Sequence, residues 1–116
     1  MKRLLVLILL LAACKRPEAA APVVGDVNRG KQLIEQYGCN SCHIVPGIDG
    51  AKGMVGPSLE HVASRQIIAA KLQNSQPNMT AYIQNPQMTN PDNAMPNLGV
   101  KSDQARDIVA YLYTLK

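Results

Sequence analysis

Two cysteines three positions apart are followed at once by a histidine in Cys39-Asn40-Ser41-Cys42-His43. No other feature constrains the chain as much. It gathers two thiols and an imidazole within about one turn, so whatever they hold must sit against that turn. The rest of the chain needs such a guest. With 116 residues it fits one small domain and excludes a multi-domain enzyme. A domain of that size buries only about 60–65% of its unfolded surface. Aromatic side chains, each burying roughly 150–250 Å², normally carry much of a small core. Here there are four Tyr, no Phe and no Trp. A metal, a disulfide or a large cofactor is therefore expected to fill the middle.

The motif itself weighs those options. A Cys39–Cys42 disulfide of thioredoxin type calls for a βαβ context, which the sequence does not display. A zinc site needs two further ligands, and His43 and His61 stand at no recognised zinc spacing. A chance match is the remaining bland reading. Against these, C-x-x-C-H is the pattern of covalent c-type haem attachment. At the end of a helix, the two thiols reach two vinyl groups on one side of a porphyrin as thioethers, and the next residue offers its imidazole to the iron. One haem c bound through Cys39 and Cys42, with His43 as ligand, would supply the missing bulk.

Three cysteines is an odd number, and the N-terminus explains the third. Lys2 and Arg3 precede an apolar and small run from Leu4 to Ala13, too short to span a bilayer, which takes about 20 residues. Residues 1–13 therefore read as a signal peptide, with a permanent membrane anchor as the competing reading. Leu11-Ala12-Ala13-Cys14 resembles a bacterial lipoprotein signal, which implies lipidation at Cys14. Residues 14–22, rich in Ala and Pro, form a lipidated tether, and 23–116 the domain. The formal charge is +4, yet from Val23 onward eight Lys and Arg face seven Asp and Glu. A near-neutral domain argues against nucleic-acid binding.

The expected fold is all-α. A first helix is predicted over Val27–Tyr37, capped by Asp26 and ended by Gly38, with Gly30, Leu33, Ile34 and Tyr37 on one face. Gly30 on that face implies close approach by another helix. Residues 43–57, dense in Gly and Pro, read as a long loop, and Ser58 as the cap of a short helix through Val62. Ile67–Leu72 is apolar and ambiguous. Asn78 is expected to cap a short helix through Ile83, stopped before Pro86. Residues 85–101, rich in Asn and Pro, are irregular. Ser102 is expected to cap the last helix, with Asp103 in its first turn, Lys116 at its end, and Ala105, Ile108, Val109 and Leu112 as its stripe. Loops so long in so small a domain are expected to wrap a ligand.

The sixth iron ligand decides what such a haem does: a thioether raises the potential and suits electron transfer, an open position suits ligand binding or catalysis. The candidates are Met54, Met79, Met88, Met95 and His61. Met95 is preferred, since Pro96 stiffens its backbone and Gly99 lets the chain turn close to the porphyrin.

From about Asp26 to Lys116 the chain resembles a class I cytochrome c. Gly30 and Ile34 match the face that family packs crosswise on its C-terminal helix, and Asp107-Ile108-Val109-Ala110-Tyr111-Leu112 matches its closing motif. Gly56-Pro57-Ser58-Leu59 resembles its Gly-Pro-x-Leu loop, which implies haem contacts at Pro57 and Leu59 and makes the Pro57 carbonyl the partner of His43. Met95-Pro96-Asn97-Leu98-Gly99 resembles the axial methionine segment. Asn78 to Gly99 is similar to the cytochrome c domain of bacterial cytochrome c oxidase subunit II, although Tyr82 stands where many relatives carry Trp. Arg65 is a further candidate, for a propionate. The resemblance implies a free-standing, membrane-tethered electron carrier of a respiratory chain, not an enzyme in itself. It would lie outside the cytoplasm on a bacterial membrane, working with a terminal oxidase or its electron donor. The alternatives are a haem protein with an open sixth position, acting as sensor or peroxidase, and a haem-free structural lipoprotein.

Overall fold

Three helices frame the fold. α1 (Val27–Gln36) starts where the Asp26 carboxylate accepts a hydrogen bond from the Arg29 N–H, 2.9 Å away. It stops before Gly38, whose φ of 72° only glycine adopts without strain. α3 (Ser102–Leu112) lies against α1, burying Leu33 and Ile34 on Ala105, Ile108, Val109 and Leu112. Gly30 permits this approach: a Cβ there would run into the Asp107 carbonyl. A computed structural model describes residues 21–50 and 55–116. The signal segment 1–13, Cys14, the tether through residue 20 and Met54 lie outside the described residues.

The crossing is polar at one end. Asp107 is buried, and its carboxylate takes the Arg29 guanidinium at 2.8 Å and the Asp26 N–H at 2.8 Å. A buried carboxylate is tolerated because both oxygens are answered. Tyr37 adds a third tie, donating its hydroxyl to Gln104 Oε1 at 2.6 Å.

Several expected boundaries move, each because a neighbouring group competes better. Lys101, not Ser102, is the N-cap of α3, and the Gln104 side chain accepts its N–H at 3.3 Å. The helix ends at Leu112, leaving Lys116 beyond its last turn. α2 (Gln76–Gln84) begins at Ser75, whose hydroxyl accepts the Asn78 N–H at 3.2 Å. Asn78 is thus inside the helix, and Pro77 occupies the first turn, where its missing donor costs nothing. Ser58 caps no helix; its hydroxyl accepts the Glu60 N–H, and a 3₁₀ turn follows at Val62–Ser64.

The ambiguous 67–72 stretch becomes a hairpin. β1 (Ile67–Ile68) pairs antiparallel with β2 (Leu72–Gln73), Ile68 opposite Leu72. Its tip, Ala69 and Ala70, holds two positive φ angles of 49° and 64°, a turn that prefers Asn-Gly. The all-α expectation therefore stands with one small addition. No described helix is long and apolar enough to cross a membrane.

Candidate functional site

The Cys-x-x-Cys-His run sits just beyond α1. Left-handed Gly38 reverses the chain into a 3₁₀ turn at Cys39–Ser41. The Cys39 carbonyl then accepts the N–H groups of Cys42 and His43 at 3.2 and 3.0 Å, so both sulfurs and the imidazole leave one tight turn. Both thiols are free. Burial pushes the Cys39 thiol up, against its own backbone hydrogen bond and with the help of Cys42, so it is held neutral.

Cys39, Cys42 and His43 line a cavity of about 470 Å³ between α1, α2, α3 and the loops. Its apolar walls include Ile34, Leu59, Val62, Ile68, Ile83 and Ile108. The volume falls within the roughly 300–1,000 Å³ of small-molecule and cofactor pockets. This hollow takes the place of the aromatic core the sequence lacks.

The imidazole is fixed by the loop that follows. His43 Nδ1 lies 2.7 Å from the Pro57 carbonyl, which can only accept, so the proton is on Nδ1 and Nε2 keeps its lone pair. Gly56 makes the fit possible: a Cβ there would collide with the ring. Two backbone bonds close the loop, Gly56 N–H to the Cys42 carbonyl at 2.9 Å and Leu59 N–H to the Ile44 carbonyl at 2.8 Å. The Tyr111 hydroxyl, donating to the Pro46 carbonyl at 2.7 Å, ties the loop to α3. Pro57 and Leu59 both line the cavity wall.

The sixth-ligand candidates separate. Met95 and Met79 line the cavity, whereas Met88 is 48% exposed and does not. His61 is not on the cavity wall either; its Nδ1 donates to the Lys116 backbone oxygen at 2.8 Å. Among the described residues no group of three or more His, Cys, Asp or Glu could hold a metal ion. Met79 is 4% exposed and belongs to the apolar core on α2. Met95 lies in the irregular stretch ahead of α3, half-buried, with Gly99 at a φ of 68° allowing the turn beyond it.

The hydrogen-bond partners of two residues singled out in the sequence were not legible there. Arg65, though exposed, lines the cavity while donating to the Ser58 carbonyl and, at 3.0 Å, the Glu60 carbonyl. Tyr82 lines the cavity too, but its hydroxyl accepts from Asn93 Nδ2 at 2.8 Å. Density of Asn in the stretch was the only signal, and it does not say which amide meets which group.

The donor set fits a haem. Two thiols, an imidazole with its outer nitrogen satisfied and a thioether share one apolar hollow, the combination a covalently held macrocycle with a six-coordinate iron requires.

Comparison with known proteins agrees. A family model described as cytochrome c matches residues 27–116. The chain is 33% identical over 100 residues to cytochrome c oxidase subunit 2 of Alkalihalophilus pseudofirmus, a match covering 85% of this chain and 28% of that one. The chain thus spans little more than a quarter of that relative. Its fold is similar to that of cytochrome c2 from Rhodobacter sphaeroides, with a TM-score of 0.56, 23% identity, and coverage of 79% of this chain and 97% of that one.

Proposed function

This chain belongs to the cytochrome c family, as a class I c-type cytochrome that carries electrons through a covalently bound haem c, and from that premise we propose that it is a membrane-tethered monohaem carrier delivering single electrons in a respiratory chain. Cys39 and Cys42 would hold the one haem as thioethers, His43 and Met95 would ligate its iron, and Pro57 and Leu59 would complete the contacts. The observation that carries this reading is that Cys39, Cys42, His43 and Met95 all line one cavity while the Pro57 carbonyl holds the His43 ring in the ligating tautomer. The haem supplies a reversible one-electron iron couple; the chain's residues bind it, exclude water and keep the same ligands in both states. An imidazole and a thioether in apolar surroundings favour the ferrous state and a fairly high potential. No general base is needed, because no substrate bond is made or broken.

Similarity to a subunit of cytochrome c oxidase supports a terminal oxidase, or its electron donor, as the partner. The near-neutral domain offers little long-range steering. A lipid at Cys14 offsets this by raising the local concentration beside a partner in the same membrane. The domain then works on the extracytoplasmic side of a bacterial cell membrane.

The mass of the chain from cells able to attach haem tests the core of the reading. One haem beyond the amino acids and lipid is expected, lost on Cys39→Ala with Cys42→Ala; a mass with no haem overturns it. Low-spin ferric iron with a methionine charge-transfer band is expected in the spectrum, whereas high-spin iron that binds CO at once assigns the open-site alternative. Cys14→Ser is expected to release the protein to the soluble fraction with an unchanged spectrum.

A further inference from the structure

The thioether of Met95 is a weak acceptor and gives the protein little to grip. What holds this residue is its backbone. The Met95 N–H donates to Asn93 Oδ1 at 3.1 Å, and the Met95 carbonyl accepts from Gln87 Nε2 at 2.8 Å. Asn93 is itself anchored, donating from Nδ2 to the Tyr82 hydroxyl at 2.8 Å and to the Pro86 carbonyl at 3.0 Å. Tyr82 belongs to α2, and Pro86 is fully buried, so the anchor reaches the rigid part of the molecule. Gln87 Nε2 also lies 3.4 Å from the Asn93 carbonyl, which closes the ring of contacts. Two amides therefore clamp both polar groups of one peptide-bonded residue, in a segment with no regular structure beyond the 3₁₀ turn Pro86–Met88.

We propose that Asn93, with Gln87, is the positioning residue for the sixth iron ligand: the clamp keeps Met95 turned into the cavity and so sets how readily the thioether leaves the iron. The inference rests on Met95 as axial ligand. Asn93 touches neither iron nor porphyrin in this role and acts only through the Met95 backbone. A thioether whose backbone is free swings out more often, and each excursion opens the iron to an outside ligand.

The test uses the full, haem-loaded chain with cyanide as the probe. Asn93→Ala is expected to weaken the ferric methionine charge-transfer band and to speed cyanide binding about tenfold, the scale of one lost hydrogen bond. Asn93→Asp keeps an acceptor for the Met95 N–H and loses the donors to Tyr82 and Pro86, so it is expected to restore much of the band. Gln87→Ala, on the other side of the clamp, is expected to give a smaller acceleration. If Asn93→Ala and Gln87→Ala lower thermal stability but leave band and cyanide rate at wild-type values, Asn93 is only a structural residue and the inference is overturned. Met95→Ala separates the two layers. A band abolished by Met95→Ala but indifferent to Asn93 and Gln87 overturns this inference alone, and a band that survives Met95→Ala overturns the ligand assignment and the inference with it.

Discussion

His43 and Met95 face the same cavity from segments built in opposite ways. The His43 loop is fixed at the side chain: the ring's second nitrogen meets the Pro57 carbonyl, and Gly56 leaves just enough room for the ring. The Met95 segment is fixed at the backbone, through two side-chain amides, with no hydrogen bond to the sulfur among the described residues. The difference follows from the groups themselves. An imidazole has a spare N–H that the protein can grasp, whereas a thioether has only a weak acceptor. One side is therefore held directly and the other by proxy, which makes the methionine side the softer of the two.

The largest expected effect lies on the directly held side. In Gly56→Val the new side chain must displace the imidazole, and a near-complete loss of haem-loaded protein is expected from the absorbance of purified material. A normal yield would show that the loop can retreat and that the ring is not wedged there. On the softer side, Met95→Ala is expected to leave haem attached and lower the midpoint potential by on the order of tenths of a volt, within the roughly 0.8 V span that axial ligands set. An unchanged potential in redox titration would pass the role to Met79, which shares the cavity wall, rather than to exposed Met88.

A change in the common frame ought to leave the contrast intact. Arg29→Ala strips the Asp107 carboxylate of its guanidinium, and a loss of about 1–3 kcal/mol in denaturant unfolding is expected with little change in potential. A potential that moves would mean the helix crossing tunes the iron site. The smallest effect concerns Asp103, whose side chain is exposed. Against a desolvation that raises it, the Arg29 guanidinium and the backbone amides at the start of α3 hold its carboxyl below the usual carboxylate range. Its contribution is therefore present above about pH 4 and fades as the pH falls through the lowered value. Asp103→Asn is expected to flatten the acid side of the melting-temperature profile slightly; an identical profile would remove Asp103 from the crossing.

The parts legible in the sequence were those fixed locally. Asp26, Gly30 and Gly38 marked the first helix because caps, close approaches and left-handed turns each demand a residue type. The Cys-x-x-Cys-His run marked one wall of the cavity for the same reason. Less legible was every choice between near-equivalent polar neighbours. Ser75 took the cap expected of Asn78, and Gln104 made Lys101 the cap in place of Ser102. The hairpin at 67–73 stayed ambiguous because its tip is Ala69-Ala70, where the usual turn residues are missing. The clamp on Met95 joins residues from 82 to 95 through side-chain amides whose partners depend on the final path of the chain. No periodicity encodes that.

The walls of the hollow are drawn from Ile34 at one extreme to Leu112 at the other. Along the chain both sulfurs precede α2 and α3, and the last wall comes with α3. Before that the thiols have no wall opposite them; afterwards both stand half-buried at the rim of one cavity. A haem fastened as proposed would therefore be easiest to attach before α3 settles against that wall, while the chain is still folding.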